Sequence, residues 1–432
     1  MKKIIIYSIL VTSLWGVTSC QQEYTNPSAA NEEQATGSVN GLIAVANGIQ
    51  YRYTIGRASP VYALITANGL TARELTVLNA GNTDEEFLRL GGSNVQGANA
   101  VLSNLWNQSN LVKANADIIL KNISNVQDLG TRSGLIAYAS IFKALALGNL
   151  ATFWEQAPIE VSESAKFSTR AEVLKTAIST LETAATAVSA NAPSGYFNSF
   201  IVPGIDIPNT IQALIARYAL MAGDYDKALA AANKVDVAKR SYFAFDDISR
   251  NPIFDVTFGN RNVTEPINKT FNLSGELAPN AADKRIGFYF QSVSTALNSG
   301  RASFFTANNT GIPIYLPGEI MLIRAEVYAR KGDLDNAIVE LNKVLTKKTD
   351  AWGIGADLPA YAGIKTANAI LTEIYKNRCI ELFLSGLKLE DSRRFGRASA
   401  GTAIAERTRN WYPYPLTERD NNKTNTPADP AI

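Results

Sequence analysis

Residues Gly318–Lys348 read GEIMLIRAEVYARKGDLDNAIVELNKVLTKK. Ile320, Ile323, Val327 and Tyr328 recur at helical spacing. Gly332-Asp333 interrupts that pattern. Leu334, Ala337, Ile338, Leu341, Val344 and Leu345 then mark the apolar stripe of a second helix. Ala325 and Ala337 leave room for close approach. The stretch predicts two helices folded back on each other through a tight turn.

A second copy occupies Asn209–Val235. Ile211, Leu214, Ile215, Tyr218 and Ala219 form one stripe, and Ala228, Leu229, Ala232 and Val235 the next. The turns GDYDKAL and GDLDNAI are nearly the same sequence. Helix pairs of this kind have tetratricopeptide character. The turns begin at residues 223 and 332, too far apart for an uninterrupted tandem array. A weaker pair joins Ser133–Leu150 to Arg170–Val188, and a fourth starts at Thr372. The fold class expected is mainly α, with about four tetratricopeptide-like helix pairs near 133–188, 209–238, 318–348 and 372–396. An irregular, loop-rich layer is expected mainly at 78–99, 239–311 and 349–366, with further irregular sequence at 191–209 and after Gly396. Within it, Ile253–Phe258 and Gly287–Gln291 alternate as short strands or hairpins would.

The start of the chain carries a separate signal. Met1-Lys2-Lys3 is basic, Ile4 to Val17 is mostly apolar, and Thr18-Ser19-Cys20 places small residues before a cysteine. The run is too short for a comfortable span, which needs about 20 apolar residues. Residues 1–19 are read as a lipoprotein signal peptide, and Cys20 as the lipidated new N-terminus. Val17 stands where leucine is usual. Each buried CH₂ of an acyl chain adds about 0.8 kcal/mol of membrane affinity. Residues 20–38, rich in polar and small types, read as a flexible tether, and 39–432 as a single domain. No later stretch is expected to be long and apolar enough to span.

Composition narrows the function classes. The chain has 41 basic and 39 acidic residues, so phosphate neutralisation has little to draw on and nucleic-acid binding is disfavoured. Histidine is absent, which excludes Ser-His-Asp and Cys-His catalysis and histidine metal ligation. No Walker or dinucleotide fingerprint is present. Carboxylate-pair hydrolysis of glycosides stays open on composition, although no Asp/Glu pair stands out. No enzyme activity, cofactor or metal is expected. Cys379, among Ile374, Ile380 and Leu382–Leu384, reads as a small buried hydrophobe.

Seven segments, taken in order, carry a family resemblance. Cys20 comes first. Leu105-Trp106 with LVKANADIILKNI at Leu111–Ile123 follows, and Ser133–Ile159 ends in Phe153, Trp154, Pro158 and Ile159. Asp283-Lys284-Arg285 and Ile312–Arg330, with Glu319, Leu322, Ala325 and Glu326, come next. In Ile374–Gly396, Arg378, Glu381, Leu382, Gly386, Asp391, Arg394 and Gly396 match the family signature, while Asn377, Ser385 and Ser392 depart from it. Tyr412-Pro413-Tyr414-Pro415, Glu418 and Asn421-Asn422 resemble its close, and the seven segments together resemble the SusD/RagB-like lipoproteins of Bacteroidetes. The resemblance implies helix pairs cradling an irregular subdomain. It also implies a surface-exposed, lipid-anchored outer-membrane protein that passes oligosaccharides, or in some members peptides, to a SusC-like TonB-dependent barrel. A structural or adhesin-like tetratricopeptide lipoprotein is the reading from another class.

Candidate site residues follow from two sources. Large aromatics in polar loops can stack on sugar rings; here they are Phe304 and Phe305 in SGRASFFTANNTG and Trp352 in DAWGIGADL. The resemblance implies that the early loop lines the ligand site, which points to Asn79, Asn82, Asp84, Arg89 and Asn94. The competing reading is packing for the aromatics and a solvated loop for the rest. Glu319, Glu326, Arg378, Glu381, Asp391 and Arg394 are expected in internal ion pairs, with Arg378 and Glu381 on one helix face. Trp106, Trp154 and Trp411 are expected to pack.

Overall fold

The computed structural model describes residues 36–259, 262–290, 304–402 and 405–432. Cys20 and residues 1–19 lie outside them. The two GD turns show how sequence makes the frame. Helices Ile207–Ala222 and Tyr225–Ala232 flank one, Pro317–Arg330 and Leu334–Leu345 the other. Gly223 and Gly332 have φ of +78° and +83°, a left-handed geometry that suits glycine. Asp224 and Asp333 then cap the following helix, accepting from the amides of Lys227 and Asn336 at 3.0 and 3.2 Å.

In chain order the helices are α1 (Val39–Thr54), α2 (Pro60–Thr71), α3 (Thr83–Leu90), α4 (Ala100–Lys121), α5 (Leu129–Phe153), α6 (Arg170–Ala190) and α7 (Gly195–Phe200). Then come the turn-flanking α8, α9, then α10 (Lys284–Tyr289), α11 and α12 of the second turn, α13 (Ala367–Glu381), α14 (Lys388–Arg394) and α15 (Leu416–Asn421). Short antiparallel ladders tie the irregular segments together: Leu75–Val77 with Thr264–Pro266, Gln156–Pro158 with Phe167–Thr169, and Tyr242–Phe243 with Ile312–Pro313.

Helix α5 runs through the centre, packing on α1, α4, α6 and α8. Asp128 caps it, accepting from the Thr131 amide at 2.6 Å. By length and composition α5 could cross a membrane, contrary to the sequence expectation. Its apolar window is 89% buried among the other helices, so it is the core helix of this fold. From α6 the frame continues through α8 and α9 to α11, with α12 and α13 packed on α11. The expected pair near 372–396 differs: α13 packs chiefly on α11 and α12, and short α14 also rests on α2.

The irregular layer is more helical than its sequence suggested. Residues 78–99 contain α3, and 191–209 contain α7. Ile253–Phe258 does not form a strand: Phe254–Gly259 is a π-helical turn, started by Asn251 Oδ1 accepting from the amides of Ile253 and Phe254 at 3.0 Å. Gly287–Phe290 lies on and just beyond α10, which Asp283 caps, and Gln291 lies outside the described residues.

The signature acids and bases are buried in ion pairs. Arg217 meets Glu319 at 2.6 Å, Arg394 meets Glu326 at 2.8 Å, and Arg378 meets Asp391 at 2.8 Å. Glu381 pairs with Arg285 and Lys347 rather than with Arg378. Trp106 and Trp154 pack edge to face at 4.9 Å, and their indole N–H groups donate to Glu418 and to the Pro413 carbonyl. Trp411 lies under the Arg393 guanidinium at 3.8 Å. Cys379 is buried, which pushes its thiol up to about 12.

Candidate functional site

The end of α1 presents an aromatic side chain to solvent. The buried face of this helix carries Leu42, Ile43, Ala46, Ile49, Gln50, Tyr53 and Thr54. Tyr51 falls off that stripe and is 59% exposed. Beside it lies a groove of about 500 Å³, within the size range of small-ligand sites, about 300–1,000 Å³. Ile55, Val202, Pro203 and Phe245 line it with Asn47, Asp246 and Ser249. Asn47 holds the far wall in place: its Nδ2 donates to the Phe200 carbonyl at 2.8 Å and its Oδ1 accepts from the Val202 amide at 2.9 Å. Asp246 accepts from the amides of Ser249 and Ile248, which hold its carboxyl below the usual range and fix the opposite loop. Exposed Phe200 and Ile248 follow on from these two walls.

The groove adjoins the early loop. Ile55 lines it, and Arg57, two residues on, donates to Asn82 Oδ1 at 3.1 Å and pairs with Glu85 at 2.6 Å. Consecutive Cα atoms are about 3.8 Å apart, so the Arg57 backbone lies within about 8 Å of Ile55, although Arg57, Asn79 and Asn82 do not themselves line the groove. Asn82 Nδ2 donates to the Asn79 and Asn262 carbonyls at 3.0 Å, and Asn79 Nδ2 to Asn262 Oδ1 at 3.3 Å. The result is an exposed patch of three amide side chains. Asp84, Arg89 and Asn94 serve the loop itself. Asp84 accepts from the Ala100 amide at the start of α4, Arg89 pairs with Glu86, and Asn94 donates to the Gly91 carbonyl.

The three sequence-selected aromatics come together elsewhere and face inward. Phe304 and Phe305 are 5% and 2% exposed. Phe305 stacks on Phe258 at 5.7 Å, and Phe304 meets Trp352 edge-on at 5.5 Å. Both phenylalanines border a cavity of about 50 Å³, room for a water or two but not a sugar ring. Half-buried Trp352 has Arg240 4.0 Å from its ring centre. Asn79, Asn82, Asp84, Arg89 and Asn94 do not line that cavity.

Sequence reasoning missed Tyr51 and Phe245. A signal for Tyr51 was present, because it breaks the apolar stripe of α1. Phe245 had none, since its partners across the groove lie on other segments. The groove wall carries one carboxylate, Asp246. Glycoside hydrolysis uses two. What the surface can do is stack one ring and hydrogen-bond hydroxyl or peptide groups, with little net charge.

No family model matches the sequence, and no curated protein does. Solved structures do match. A SusD superfamily protein from Bacteroides vulgatus ATCC 8482 superposes with a TM-score of 0.70 at 16% identity, over 91% of this chain and 99% of that one. A SusD-like carbohydrate binding protein from Bacteroides fragilis NCTC 9343 gives 0.67 at 13% identity, over 91% and 100%. A SusD-like carbohydrate binding protein from Bacteroides vulgatus ATCC 8482 gives 0.65 at 19%, over 87% and 86%. The fold of this chain is the SusD fold, mainly helical. At these identities the likeness is one of fold.

Proposed function

We propose that this chain is a surface lipoprotein that binds nutrient oligomers, glycans first and peptides second, and delivers them to a SusC-like TonB-dependent barrel of the outer membrane. The observation that carries the reading is an exposed tyrosine in a nearly uncharged groove on a SusD-type frame. A sugar ring has an apolar C–H face that suits Tyr51, and the amides of Asn79 and Asn82 match its hydroxyls. Two of the similar solved structures are SusD-like carbohydrate binding proteins, which supports a glycan. Cys20 is the proposed lipid anchor, and the tether the proposed link to the folded domain. On this reading Phe304, Phe305 and Trp352 pack together away from the groove, and Asp84, Arg89 and Asn94 shape the early loop.

The test is calorimetric titration with neutral oligosaccharides and short peptides, paired with thermal unfolding. A ligand at 100 times its Kd stabilises the fold by about 2.7 kcal/mol. Tyr51→Ala is expected to weaken the best binder by about tenfold, the equivalent of about 1.4 kcal/mol. Asn82→Ala is expected to weaken it less. A folded protein that responds to no member of the panel would overturn the binding role. Binding unaffected by either substitution would move the site.

A further inference from the structure

On another part of the surface, an open pocket of about 680 Å³ lies among the residue after α2, the loop Asn272–Leu277 and the start and end of α14. Three cations line it, Arg73, Lys388 and Arg397, against two carboxylates, Glu276 and Glu406. Both carboxylates are committed to the same base. Arg397 pairs with Glu406 at 2.7 Å and approaches Glu276 at 3.6 Å. The other Glu406 oxygen accepts from the Tyr375 hydroxyl at 2.6 Å.

Arg73 and Lys388 are left over. Arg73 is exposed, and its guanidinium has no hydrogen bond or ion pair among the described residues. Lys388 is 5% exposed. Its ammonium has three donors and, among the described residues, makes one hydrogen bond, to the Phe271 carbonyl at 3.3 Å. A buried cation without a contacting counter-ion is costly, and most are paired. The acids behind it do not fill that role. Asp391 is taken by Arg378 and Arg394 at 2.8 and 2.7 Å. Glu74 is buried, forms no ion pair within contact distance of Lys388, and leaves its Oε2 without a hydrogen-bond partner. Burial pushes its carboxyl up to about 7 against the attraction of Lys388, so the two interact only at a distance and in part.

We propose that this pocket binds the carboxylate of a small acidic ligand, with Arg73 and Lys388 as its cationic donors. The charge balance favours a monoanion. Three cations against two carboxylates leave one positive charge, which a monoanion neutralises and a dianion would exceed. The arginine fork matches a carboxylate with two parallel hydrogen bonds. The volume admits a sugar or amino-acid scaffold behind the acid, and Asn272 and Ser274 on the wall suit its polar groups. This site is separate from the groove at Tyr51 and stands without the glycan reading.

The probes are glucuronate and N-acetylalanine, with glucose as the neutral control, titrated into the full chain at low ionic strength by NMR or calorimetry. At least one carboxylate is expected to bind, and glucose is expected not to compete with it. Glucuronate alone would assign an acidic sugar, and both together a carboxylate on either scaffold. Arg73→Ala is expected to weaken binding at least about tenfold and Arg73→Glu to abolish it, because charge-assisted pairs are the strong ones. Arg73 is exposed, so both variants are expected to keep the wild-type unfolding midpoint. Tyr51→Ala is expected to leave this binding unchanged. Absence of binding by both carboxylates would overturn the proposal, and so would equal binding by Arg73→Ala and the wild type.

Discussion

Glu74 and Glu326 are both buried glutamates, yet they titrate in opposite directions. Burial raises both carboxyls. At Glu74, Lys388 and the Leu384 amide offset only part of that, and the carboxyl stands at about 7. At Glu326, Arg394 binds both oxygens at 2.8 and 3.0 Å, and Arg330 adds a third contact at 2.8 Å. Together with the nearby Arg378 they overcome burial and hold it at about 2. The consequences for stability have opposite signs. Glu74 is raised above its ordinary 4.5, so its contribution is whole below pH 4.5 and lost as pH rises through 7. Glu326 is depressed, so its contribution is present above pH 4.5 and lost as pH falls through 2. Glu74→Gln keeps the shape and removes the charge. It is expected to stabilise the protein above pH 7, by on the order of 3 kcal/mol, with no gain below pH 4.5. Denaturant unfolding across that range checks this; an unchanged pH profile would refute it.

At the scale of elements, the clearest device is the contact of α5 with α8. A Cβ added at Gly148 would lie 2.3 Å from the Tyr218 hydroxyl, so the glycine lets the two helices meet. In an isolated helix, glycine to alanine stabilises by about 1 kcal/mol. Here Gly148→Ala is expected to destabilise by about 1–3 kcal/mol, since overpacking a filled core forces backbone shifts. A chemical unfolding midpoint that rises instead would show that the helices can separate at no cost. The same scale shows what could be read in advance. The GD turns were legible because a left-handed glycine and an aspartate cap act within a few residues. Helix α2 was not legible, because almost all of Pro60–Thr71 is buried and no polar face gives it a period. Helix α3 had its signal, Asp84, Glu85 and Glu86 in the first turn and Arg89 in the last, but it passes for a polar loop.

For the molecule as a whole, the frame and the proposed anchor act together. On the proposed reading the Cys20 thiol carries the acyl chains, so its loss removes them. Cys20→Ala is therefore expected to move the protein from the membrane fraction to the soluble fraction, with its unfolding midpoint unchanged. Fractionation of the variant with membranes would refute the anchor. Helix α5 does not rescue attachment in this picture, because its apolar surface is already spent on the core.

The sequence by itself determined the helix pairs at the two GD turns, their left-handed glycines and the neutral charge, because each follows from neighbours along the chain. It also picked out the acids and bases that become internal ion pairs. Only the tertiary structure decided their partners, such as Glu381 with Arg285 rather than Arg378. It alone turned Phe304 and Phe305 inward and left Tyr51 outside. The reason is separation: Asn47 fixes the groove through Val202, 155 residues away, and no local pattern encodes which distant wall a side chain will face.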